Sequence, residues 1–170
     1  MLSDDIPPVE DRFLSGHPSP PVQVARILSP DRVVFLNFPS KRDALAALCD
    51  TLAGAPQIKN REELRAEIMK RDELMSTAIG RGIAIPHVRL SSVTDLVAAV
   101  GVSETDIADF QTLDDEPVRL LIMIAAAYNQ HAYYLQTLSF FSSRLKNSRL
   151  RRAIMDAREP QEVYRLLSTE

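Results

Sequence analysis

Ser76-Thr77-Ala78-Ile79-Gly80-Arg81-Gly82-Ile83-Ala84-Ile85-Pro86-His87 is the stretch that decides how this chain is read. Gly80 and Gly82 predict a tight bend, because glycine accepts backbone angles that other residues resist. Ile83, Ala84 and Ile85 predict a short strand entering the core. Pro86, which has no N–H to give a sheet, predicts the end of that strand, so that His87 emerges at its mouth. Such a placement presents an imidazole to solvent. A neutral ring nitrogen there can act as nucleophile, base or metal ligand, since imidazole titrates near neutral pH.

The composition narrows the choices. At 170 residues the chain is long enough for one well-cored domain and too short for two of ordinary size. A net charge of -3, with acidic and basic residues interspersed, gives no indication of nucleic acid or an anionic membrane as partner. The single Cys49 cannot form an intrachain disulfide and, among apolar neighbours, is expected as core filler. His17, His87 and His131 are scattered with no ligand spacing, so no metal is expected, and no cofactor either. No run of eighteen apolar residues and no basic-then-apolar leader is present, which predicts a cytoplasmic protein without direct membrane insertion.

Residues 1–21 hold five of the eleven prolines, among Asp, Glu and Ser, and read as a flexible proline-rich extension ahead of a domain spanning 22–170. A strand is expected over residues 32–36. Ser40 then caps a helix whose Leu45, Leu48, Cys49 and Leu52 share one face, with Gly54 and Pro56 ending it. Asn60 opens a second helix with Glu63 in a capping-box arrangement, Leu64 and Ile68 inward, and Arg71 at its far end. Residues 96–102 and 118–126 are apolar nearly throughout, as strands covered on both faces are. Helices are expected over 131–146, 149–156 and 161–167, the last begun by Pro160. Interleaved strands and helices give the α/β class, a mixed β-sheet flanked by helices on both faces.

The run from Arg71 to His87 resembles the phosphorylation-site signature of the fructose/mannitol/nitrogen-type enzyme IIA family of the bacterial phosphotransferase system. That signature is an acidic or amide residue, six positions, an aliphatic, a small residue, two positions, then aliphatic-Ala-aliphatic-Pro-His and a small residue. Asp72, Ile79, Gly80, Ile83, Ala84, Ile85, Pro86 and His87 satisfy it, and Val88 departs from it at the last place. Residues 110–118 are similar to the family's strand-to-strand connection, and the resemblance extends over about 22–167.

The resemblance implies a type-2 enzyme IIA sandwich in which His87 accepts a phosphoryl group on its distal nitrogen, Nε2. The donor would be the phosphocarrier HPr or its nitrogen-branch equivalent, and the recipient a IIB domain or a regulatory target protein. A chain that ends about where such a domain ends fits the nitrogen-regulatory branch, which is the favoured one. Arg71 would lie beside the active histidine, although a cation in a last helical turn also complements the helix end by ~0.3–1 kcal/mol. Ser76, Thr77 and the N–H groups near Gly80 and Gly82 are candidates for a small anion pocket, with helix termination and turn formation as their plain alternatives. Many family members carry a second histidine early in the long helix. Tyr134 stands there in this chain, and His131, one turn earlier, is the candidate to replace it. Tyr134 and Val88, whose branched side chain would crowd an incoming donor, support the alternative of a degenerate interaction module with no phosphoryl transfer.

Overall fold

The computed structural model describes residues 22–169, so the proline-rich segment 1–21, His17 included, lies outside the described residues. The chain begins with a short helix, α1 (Val24–Ile27), followed by a 3-10 turn (Pro30–Arg32) and strand β1 (Val33–Leu36). Two helices follow, α2 (Lys41–Ala53) and α3 (Arg61–Leu74). Then come β2 (Ala78–Gly80), β3 (Ile83–Ala84), β4 (His87–Leu90), β5 (Val97–Ile107) and β6 (Val118–Ala127). Helices α4 (His131–Arg144), α5 (Ser148–Asp156) and α6 (Pro160–Ser168) complete it.

The strands form one mixed sheet in the order β1-β5-β6-β3-β2, with β4 also on β6. β5 and β6 are antiparallel, while β1 is parallel to β5, and β3 and β4 are parallel to β6. Because successive strand residues face opposite ways, Leu120, Ile122, Ile124 and Ala126 enter one core with Phe141, Ile154, Val163 and Leu167. Leu121, Met123 and Ala125 enter a second core with Leu45, Leu48, Cys49, Leu64 and Ile68. The near-continuous apolar character of β5 and β6 follows from this double covering. Gly101 lies where β5 meets β1, and a Cβ there would stand 2.6 Å from Leu36 Cδ1.

Most capping expectations hold. Ser40 Oγ accepts from the N–H of Asp43 at 3.1 Å, Asn60 Oδ1 accepts from Glu63 at 3.0 Å, and Pro160 opens α6. Glu63 does not fold back to complete a capping box. Its carboxylate accepts from the Ser92 hydroxyl at 2.8 Å, fastening α3 to the segment after β4. Cys49 is 2 % exposed, and burial pushes its thiol up to about 12, which keeps it protonated and inert at neutral pH.

Candidate functional site

Pro86 does not end the strand that β3 begins. It has no N–H to contribute, but its carbonyl accepts from the N–H of Ile124 at 2.9 Å, and pairing to β6 resumes at once with His87 opposite Ile124. β3, Ile85, Pro86 and β4 therefore run along β6 as one interrupted strand. His87 heads its second half, half-buried, rather than standing free at a strand mouth.

The interruption sets the histidine's chemistry. Its Nδ1 lies 2.5 Å from the carbonyl oxygen of Ile85. A carbonyl can only accept, so Nδ1 carries the proton and Nε2 keeps its lone pair. Burial lowers the imidazole pKa from its ordinary value; the Ile85 carbonyl opposes this and the charge of Arg71 adds to it. At neutral pH the ring is a neutral Nδ1–H tautomer with a nucleophilic Nε2.

His87 lines a cavity of about 430 Å³ with Glu67, Lys70, Arg71, Leu74, Met75, Ser76 and Thr77. Arg71 reaches it from the last turn of α3, as expected, so its place at the helix end and its place beside the histidine coexist. The Ser76 hydroxyl is already spent, donating to the Gln111 carbonyl at 2.6 Å. Thr77 Oγ1 is buried and has no hydrogen-bond partner among the described residues, so it is the hydroxyl with capacity left for an anion.

Gly80 and Gly82 are not brought to this cavity. With φ of 88° and 77°, they flank Arg81 at 60° in a tight turn between β2 and β3. The N–H of Arg81 donates to Asp114 Oδ2 at 2.7 Å. That bond, with a second from the N–H of Glu116, holds the Asp114 carboxyl below the usual carboxylate range. The Arg81 N–H thus serves a carboxylate of the 108–117 connection, and neither glycine lines the cavity at His87. A Cβ on Gly80 would come within 3.1 Å of Asp114 Oδ2, in a backbone region that already disfavours any side chain.

The long helix does begin at His131, but that side chain is exposed. Tyr134, one turn on and 6 % exposed, is the residue that meets the nucleophile: its ring centroid lies 5.5 Å from that of His87, with the planes tilted by 58°. Val88 faces away from the site, 1 % exposed in the core beneath α2 and α3, so it crowds no incoming donor. Arg89 escaped the sequence reading. The signal was available, since residues two apart on a strand share a face and Arg89 is two past His87. Its guanidinium carbon lies 5.8 Å from the Tyr134 ring centroid and 5.3 Å from that of Tyr128.

The model of the family described as "Phosphoenolpyruvate-dependent sugar phosphotransferase system, EIIA 2" matches residues 26–170. A fructose-specific EIIABC component from Bacillus subtilis is 30% identical over 137 residues, which is 79% of this chain and 21% of that protein. The chain thus spans about a fifth of that relative's length. The nitrogen regulatory protein of Escherichia coli K12 is 34% identical over 132 residues, 76% of this chain and 78% of that protein. The crystal structure of nitrogen regulatory protein IIA-Ntr from Neisseria meningitidis superposes with a TM-score of 0.78 at 22% identity, covering 85% of this chain and 98% of that one.

Proposed function

The chain belongs to the phosphoenolpyruvate-dependent sugar phosphotransferase system EIIA 2 family, and we propose that it is a phosphocarrier or regulatory component of that system that carries the phosphoryl group on Nε2 of His87. The observation that carries this reading is the hydrogen bond from His87 Nδ1 to the Ile85 carbonyl, which holds the ring in the tautomer with its distal nitrogen free.

In the transfer, Nε2 attacks phosphorus and the N–P bond forms as the bond from phosphorus to the donor's nitrogen breaks, the donor nitrogen keeping the electron pair. The His87 ring, still protonated at Nδ1, becomes cationic, and the Ile85 carbonyl accepts a stronger hydrogen bond from it. Arg71 and the Thr77 hydroxyl are placed to meet phosphoryl oxygens, while Ser76 shapes the wall. Attack by a recipient reverses these events and returns the neutral tautomer.

The donor in this reading is HPr or its nitrogen-branch equivalent, the recipient a IIB domain or a regulatory target, and the setting the cytoplasm. No helix among the described residues is long and apolar enough to cross a membrane. The nitrogen-regulatory branch is supported by the higher identity, 34% to the nitrogen regulatory protein against 30% to the fructose-specific EIIABC component. The domain would span 22–170, and residues 1–21 would extend from it. The buried orientation of Val88 removes one of the two features that favoured a non-transferring module.

The test is incubation with phosphoenolpyruvate, enzyme I and HPr or the nitrogen-branch pair, followed by intact mass before and after acid, with His87→Ala alongside. An acid-labile gain of one phosphoryl group, absent from the variant, is the expected result. Acid-labile phosphate retained by His87→Ala would overturn the assignment.

A further inference from the structure

We propose that Arg89, stacked against Tyr134, is a second phosphoryl-binding cation that takes hold of the group on His87 from β4, as Arg71 does from α3; this rests on the reading of His87 as the carrier.

Three observations converge on it. Strand alternation puts Arg89 on the face of β4 that carries His87, while Val88 and Leu90, at 1% and 6% exposure, fill the core on the other face. His87 and Arg89 share Tyr134 as a neighbour: the ring lies 5.5 Å from the imidazole and 5.8 Å from the guanidinium carbon. The guanidinium is also held in place, with Nη1 donating to the Tyr128 carbonyl at 3.1 Å and the Tyr128 ring 5.3 Å away.

An arginine so placed is pre-organised but not used up. Its planar fork has five N–H donors, and among the described residues a single hydrogen bond from them is made, to a neutral acceptor. Among the described residues, no carboxylate lies within 4.0 Å of it. Burial raises the Tyr134 phenol pKa, and Arg71 and Arg89 both oppose that rise, so the two cations act on one point beside His87 from two elements. A group bearing two or more anionic oxygens suits the free donors, and guanidinium matches such oxygens in pairs where lysine does not. The unphosphorylated protein would then hold an unneutralised cation next to its nucleophile, and phosphorylation would neutralise it.

The alternative is that Arg89 only fastens β4 to the 128–130 turn, and the experiment separates the two. Wild type, Arg89→Gln and Arg89→Lys are phosphorylated at saturating phospho-HPr, so that docking is not what is read, and the bound phosphoryl group is titrated by phosphorus NMR. Arg89→Gln is expected to label about 10- to 100-fold more slowly, as for loss of one charge-stabilising donor, and its phosphoryl group to titrate at higher pH. Arg89→Lys is expected to recover part of both. A folded Arg89→Gln with wild-type rate and wild-type phosphoryl titration would overturn the proposal. If Arg89→Gln does not fold, Arg89→Lys with wild-type rate and titration would do the same, since it lacks the fork. Wild type that takes no phosphoryl group would remove the carrier reading itself, and this proposal with it.

Discussion

Lys41 Nζ stands 2.8 Å from Asp72 Oδ2, an ion pair that joins the first residue of α2 to the last turn of α3. The Asp72 side chain is 8% exposed, and its other oxygen is buried without a hydrogen-bond partner among the described residues. The carboxylate at the first place of the phosphorylation signature is thus a strut for the helix end that carries Arg71.

Removing its partner leaves a poorly solvated charge. Lys41→Ala is expected to cost about 1–3 kcal/mol, the penalty for an orphaned buried acceptor. The double variant Lys41→Ala/Asp72→Asn should recover part of it. Urea denaturation of the three proteins checks this, and a Lys41→Ala midpoint equal to wild type would contradict it.

The His87 pKa gives a pH dependence with a definite sign. Burial holds it below the ordinary value of 6.5 in the native protein, so between the two values the unfolded chain binds more protons than the folded one. Stability from this group is complete above 6.5 and is lost as pH falls through the native value. The labelling rate should therefore stay level from pH 8 to below about 6.5 and decline only in more acid solution, when Nε2 becomes protonated. A proton NMR titration of the ring, run beside the rates, should give one shared midpoint; a midpoint above 6.5 would count against this account.

Val88 is a core residue by its orientation. Val88→Ala should destabilise the fold by roughly 1.5–2 kcal/mol, at about 0.8 kcal/mol per buried methylene, and leave the labelling rate within about twofold. Thermal melts and labelling kinetics on the same preparation test both halves. A faster variant would show that the branched side chain does obstruct the donor.

Periodicity and punctuation located the elements well: Ser40, Asn60 and Pro160 open helices where short-range chemistry says they should, and the signature singled out His87. What stayed hidden depends on long-range pairing. Nothing near Pro86 announces that its carbonyl will accept from Ile124, because that bond comes from a residue 38 positions on. The turn at Gly80–Gly82 was legible as a turn, but Asp114, which takes its N–H, comes from the connection after β5. Glu63 had a local partner on offer and bonded Ser92 instead. Val88 and Arg89 were within reach, since extending the strand through Pro86 would have assigned their faces by alternation alone.

The register of the sheet has a kinetic consequence. β5 and β6 pair from Ile107 opposite Val118, eleven residues apart along the chain, whereas His87 waits for Ile124, 37 residues on, and Val33 for Val100, 67 residues on. Loop closure disfavours the distant pairs first, so the hairpin is the natural template and the strand bearing the nucleophile is laid on it afterwards. Mutational rate analysis would then find Val100 and Ile122 structured in the folding transition state and the His87 strand not yet formed, so the nucleophile would take its place only after the hairpin that templates it.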